Sequence, residues 1–204
     1  MMTLKKIFVL CTFALIIFSS ISFAAEKYPP PEVAVKEMVP YDSDAGNYAK
    51  YTVKAEIKLY AAPRNNRVIG NLNAGDIVKR TSSVTYANPA AHAVKILKNF
   101  QAATSPKGEF RTTLNEGDFV YLLMPLKRGY LGWYNGSHVW NISAENIKNF
   151  IAPDVENAWG EYQGEPTDLN LGVEVWEFLE RKDGVKGWAL TWKNGIALNN
   201  LNKG

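Results

Sequence analysis

Cysteine is almost absent: Cys11 is the only one in 204 residues. It sits in an apolar stretch near the start, so the remaining chain has no thiol for a disulfide, a nucleophile or a thiolate metal site. Histidine is nearly as scarce, with His92 and His138 alone. Ser137 precedes His138, but adjacency in sequence does not make a nucleophile–base pair, which needs an orienting carboxylate and an oxyanion hole. His92 has no Cys, Asp or His at ligand spacing, so no metal site is expected. The string GNLNAG, from Gly70 to Gly75, is a turn between strands rather than a phosphate cradle. Acidic pairs such as Glu177/Glu180 and Asp154/Glu156 are expected on solvated faces. The chain is therefore expected to be no enzyme and to hold no cofactor. Neither sign of charge dominates, with 23 Lys and Arg against 20 Asp and Glu, which argues against nucleic acid as a partner.

A membrane-spanning run is missing too. The longest apolar stretch, Ile7 to Phe18, is shorter than the ~20 residues a spanning helix needs. It follows Lys5 and Lys6 and ends in small residues, the layout of a secretory signal peptide over residues 1–24. Ser22 and Ala24 stand at the −3 and −1 positions of a cut between Ala24 and Ala25. Leu10 precedes Cys11 where a lipoprotein cut needs a small residue, so no membrane anchor is expected after cleavage. Losing the two lysines with that segment lowers the formal charge from +3 to +1. The expected location is the periplasm or the exterior.

What the sequence has is strands and glycine turns. Residues 25–50 form a Pro-rich leader, expected to wrap loosely over the rest. From Tyr51, Val53, Ala55, Ile57 and Leu59 alternate with polar residues, the period of a half-buried strand. The string L-N-x-G-x-x-V then occurs three times, from Leu72, Leu114 and Leu169. The stretches Leu114–Trp133 and Leu169–Trp188, overlaid without a gap, agree at eight of twenty positions. Gly75, Gly117 and Gly172 are expected to take positive φ and start a strand after each turn. Asn135-Gly136 and Asn194-Gly195 read as hairpin turns. The one helix expected is SAENIKNFIA, with Ser143 as N-cap, Ile147, Phe150 and Ile151 on one face, and Pro153 ending it.

Two runs carry a resemblance. Leu59, Tyr60 and Pro63, then Val68, Ile69, Gly70, Leu72, Gly75, Asp76 and Val78, form one; Leu169, Gly172, Val175, Gly187, Trp188, Asn194, Gly195 and Leu201 form the other. In this order they resemble bacterial SH3-like (SH3b) domains. The resemblance implies a mainly β fold: two, or three, small SH3-like β-barrel units, with the short helix between the last two. The first unit is placed at residues 51–105 and the second and third, related units at 106–204. It also implies recognition rather than catalysis, with cell-wall peptidoglycan or an envelope protein as the partner. The alternative is a periplasmic inhibitor or immunity-type protein that binds a secreted enzyme or toxin.

Aromatic side chains crowd the latter half, and most are expected in the core. Trp133 and Trp188 are placed there by the repeat, and strand alternation puts Trp188, Leu190 and Trp192 on one face. The candidate ligand groove is near Tyr60, Tyr134 and Trp140, with Trp192 added if the hairpin end turns outward.

Overall fold

A computed structural model of the chain describes residues 29, 31–40, 50–153, 155–164, 171–193, 196–197 and 201–203. The expected signal peptide, with Ala24 and Ala25, lies outside the described residues. The strands begin with β1 (Val33–Lys36), β2 (Lys50–Val53), β3 (Ile57–Tyr60), β4 (Val68–Leu72) and β5 (Ile77–Ala87). A 3₁₀ turn, Pro89–His92, leads to β6 (Ala93–Ile96), β7 (Phe100–Ala103), β8 (Arg111–Leu114) and β9 (Phe119–Pro125). Next come β10 (Tyr130–Tyr134), β11 (Ser137–Ile142), β12 (Ile147–Lys148) and β13 (Gly160–Tyr162). The chain closes with β14 (Glu174–Arg181), β15 (Lys186–Lys193), β16 (Ile196–Ala197) and β17 (Leu201–Lys203). No α-helix occurs among the described residues.

These strands form two sheets, and the division between them is not sequential. The nine-stranded sheet runs β17-β2-β5-β14-β15-β3-β4, with β1 added on β5 and β16 on β15. The eight-stranded sheet runs β12-β13-β6-β9-β10-β11-β7-β8. Every strand of the second sheet comes from the stretch between β5 and β14, so it interrupts the first sheet in sequence. The boundary expected at residue 105 therefore falls inside the second sheet. Leaving β12 aside, the two orders correspond place for place: β2 with β6, β3 with β7, β4 with β8, β5 with β9, β14 with β10, β15 with β11.

The glycine turns show the same correspondence in hydrogen bonds. Gly75 donates to the Val53 carbonyl at 2.7 Å and Val53 donates to Asp76 at 2.9 Å. Gly117 donates to Ile96 and Ile96 to Asp118, both at 2.9 Å. Gly75, Gly117 and Gly172 have φ of 91°, 86° and 58°, as the sequence predicts. Val78, Val120 and Val175, which follow the turns, are all buried. Leu169 lies outside the described residues. Asn135 and Gly136 both have positive φ and join Tyr134 to Ser137 in a tight hairpin. Residues 194 and 195 are not described, but Lys193 and Ile196 on either side are paired.

Two cores follow from the two sheets. Val53, Leu59, Leu72, Val78, Leu179 and Ala189, from six strands of the nine-stranded sheet, share one small core. Only a sheet curled on itself brings six neighbouring strands to one such cluster, so this end is a half-barrel. The larger core collects Val94, Leu122, Leu131, Val139 and Ile142 from the second sheet. It also takes Val33, Val35, Ala87, Val173 and Val175 from the extended ends of the first. On the inward face of β14, Val175 reaches one core and Leu179 the other, and Glu177 lies between them. Its carboxylate meets Arg80 at 3.1 Å and accepts from the Tyr51 hydroxyl at 3.1 Å, with Arg80 and Glu177 both buried.

Several expectations are corrected. SAENIKNFIA is no helix: Ile147 pairs in parallel with Gly160, Asn146 accepts from Trp159, and Asn149 turns back at φ 62° to bond Ala152. Packing buries Ile147 and Phe150 through a strand and a turn, which overrides a marginal ten-residue helix. Part of the leader is no loose wrap, because β1 pairs with β5 over four residues and buries Val33 and Val35. The overlay of Leu114–Trp133 on Leu169–Trp188 matches β9 and β10 to β14 and β15, whereas the sheet orders match β10 and β11 to β14 and β15.

Candidate functional site

The four proposed groove residues do not share one environment. Tyr134 is 5 % exposed, and its hydroxyl accepts from the Asn115 backbone amide at 3.1 Å and donates to Asp118 at 2.8 Å. It holds the second glycine turn, and burial followed by the Asp118 carboxylate raises its pKa. Trp140, paired across the sheet with Ala103, packs half-buried against the large core. Trp192 also packs against that core. Tyr60 stands apart, on the outer face of the curled sheet.

That outer face carries a strip of rings. Leu59, Leu179 and Ala189 point into the half-barrel, so their neighbours Tyr60, Phe178 and Trp188 point out. Trp188 is opposite Phe178 on one side and Tyr60 on the other. The Phe178 and Trp188 rings meet edge-on at 5.4 Å, as do Tyr60 and Trp176. Trp176 is 6 % exposed, while Tyr60, Phe178 and Trp188 are half-buried. Gly187 is what lets β15 come this close to β3, since a Cβ there would lie 2.9 Å from Leu59 Cβ and 3.2 Å from the Tyr60 carbonyl oxygen. Trp188 is thus no core residue, and it does not share a face with Trp192. A bulge between Val175 and Trp176 shifts the register so that Trp192 lies opposite Val175 and Leu190 opposite Trp176. One extra residue reverses the alternation.

At one end of the strip a charged cluster holds the rings. Arg64, in the loop between β3 and β4 at φ 57°, stacks its guanidinium 3.9 Å over the Tyr86 ring. Its Nε donates to Glu174 at 2.9 Å, and its terminal nitrogen donates to Glu32 at 2.6 Å. Glu174 also accepts the indole N–H of Trp176. Burial is the largest influence on the Glu174 carboxyl and pushes its pKa up. The bonds from Trp176 and Arg64 together outweigh it and leave the pKa below the usual range. Arg64 is likewise held protonated, its two carboxylate partners overcoming partial burial.

The histidines lie elsewhere. His92, 8 % exposed, places Nδ1 2.7 Å from the Tyr162 hydroxyl, where the chain leaves and re-enters the first sheet. The His138 ring meets Trp133 edge-on at 5.5 Å. Burial lowers the pKa of both. Among the described residues, no group of three or more His, Cys, Asp or Glu is placed to hold a metal ion. Two open clefts, of about 500 and about 470 Å³, involve none of the strip residues. One lies by the turn Lys127–Gly129, the other around Lys50, Ile77 and Lys182.

Sequence reasoning named Tyr60 but missed Trp176, which its ring meets, and the Arg64, Tyr86 and Glu174 cluster that holds Trp176. The alternation Glu174, Trp176, Phe178 was visible in the string EVWEF. That this face looks outward was not, because both faces of the strand carry large apolar residues. Comparison of the chain with protein-family models, curated proteins and solved structures returns no match.

Proposed function

We propose that this chain is an exported, non-enzymatic binding protein made of two nested SH3-like β units, the second inserted between β5 and β14 of the first. Its outer aromatic strip engages cell-wall peptidoglycan. The matching strand orders and the paired glycine-turn hydrogen bonds support a common origin for the two units. They also support reading the two motif-bearing runs of sequence, around residues 57–78 and 171–193, as halves of a single unit. The observation that carries the function is the strip of Tyr60, Trp176, Phe178 and Trp188 on a sheet face outside both cores. Rings fixed edge-to-face offer broad contact area to sugar rings and peptide planes at little entropic cost.

The test is co-sedimentation of the chain from Ala25 onward with isolated peptidoglycan sacculi. Saturable pelleting that resists moderate salt, and that falls at least about tenfold in Tyr60→Ala and Trp188→Ala, is the expected result. Circular dichroism establishes that the variants are folded. Wild-type protein that stays in the supernatant rejects the wall as the ligand and makes a soluble envelope protein the partner to seek.

A further inference from the structure

The two carboxylates on Arg64 are not equivalent. Glu174 is 18 % exposed and is fixed a second time by the Trp176 indole. Glu32 comes from the residue just before β1, is 49 % exposed and touches Arg64, whose own side chain is 40 % exposed. Glu174 is therefore part of the wall, and Glu32 sits at the rim. The guanidinium between them is already oriented by the Tyr86 ring, and its positive φ lies in a region that a non-glycine residue occupies only at a cost. A planar cation held at the end of an aromatic strip suits a ligand with an apolar ring face and a neighbouring carboxylate.

We propose that Glu32 is a stand-in for a ligand carboxylate, and that the strip binds a sugar with a free carboxylate, as muramic acid has where no peptide is attached to its carboxyl, by displacing Glu32 from Arg64. The proposal rests on the strip being a ligand face and adds the chemistry it selects. An exposed ion pair contributes little, so displacing Glu32 costs little. A carboxylate carried by a ring already fixed on the strip meets Arg64 without the ordering cost and gains more than Glu32 gives up. Ring stacking on Tyr60 and Trp188 then decides in favour of the ligand. A ligand lacking the carboxylate leaves Glu32 in place and gains the stacking alone.

The test titrates the chain from Ala25 onward with N-acetylmuramic acid and, separately, with its methyl ester, following the Trp176 indole N–H resonance. That proton is bonded to Glu174, so it reports on the Arg64 cluster. The acid is expected to shift it saturably and to bind about tenfold more tightly than the ester. Glu32→Gln is expected to bind the acid about two- to fivefold more tightly by removing the competitor. Arg64→Gln is expected to lose the preference of acid over ester. Equal affinity for acid and ester, no shift with either, or unchanged affinity in Glu32→Gln overturns the proposal. Sacculus pelleting without acid selectivity would leave the wall reading standing and remove this inference. Acid selectivity without pelleting would do the reverse.

Discussion

Tyr134 donates its hydroxyl hydrogen to Asp118 at 2.8 Å and accepts from the backbone amide of Asn115. The ring from β10 thereby closes the turn that starts β9, and a residue expected in a ligand groove holds a loop together instead. Tyr134→Phe keeps the buried ring and removes only these bonds. It is expected to lower stability by about 1–2 kcal/mol, read from urea denaturation, and to leave sacculus pelleting unchanged.

The glycines divide into two kinds. Nothing lies within 4 Å of a Cβ built on Gly75 or Gly117, so alanine there meets only backbone strain at positive φ. Gly75→Ala and Gly117→Ala should each cost about 1–2 kcal/mol. Gly187 has ordinary room in φ but none in space. Gly187→Ala should push β3 from β15, costing about 1–3 kcal/mol and weakening ligand binding as Tyr60 and Trp188 separate. A binding assay beside the melting curve distinguishes the two kinds.

The Arg80–Glu177 pair lies between the two cores with both side chains under 10 % exposed. Removing Glu177 takes its carboxylate away from a buried guanidinium, so Glu177→Leu should cost about 3–5 kcal/mol. The double variant Arg80→Met/Glu177→Leu should recover much of that loss. Denaturation of the two singles and the double completes the cycle, and strictly additive losses would mean the pair is not coupled.

Burial lowers the pKa of His92, with a hydrogen bond to the Leu171 backbone acting in the opposite direction, and burial also lowers that of His138. Their folded pKa values lie below the ordinary 6.5, so the unfolded chain binds protons first as pH falls. Stability from this source is complete above the ordinary imidazole range and is lost as pH drops through it toward the lowered values. Urea midpoints at pH 7.5 and 5.0 should show the fall, and His92→Gln/His138→Gln should flatten it.

The sequence by itself determined what is local. The positive φ at three glycines, the tight turn at Asn135-Gly136 and the alternation inside β2 and inside β3 depend on a few adjacent residues. Backbone sterics and the pleat dictate them wherever they sit in the fold. The one strand expected from Tyr51 to Leu59, by contrast, breaks at residues 54–56, leaves Ala55 exposed and sends its halves to separate places in the sheet. The helix at Ser143 failed because a short segment has little helical preference to set against burying Ile147 as a strand. Tertiary structure alone decided which segments meet. Arg64 and Glu174 are 110 positions apart and Tyr51 and Glu177 are 126, and no periodicity joins residues at that distance. It also decided which face is outside. A single bulge in β15 sends Trp188 to the surface and Trp192 to the core, because each strand residue reverses side and one insertion reverses all that follow.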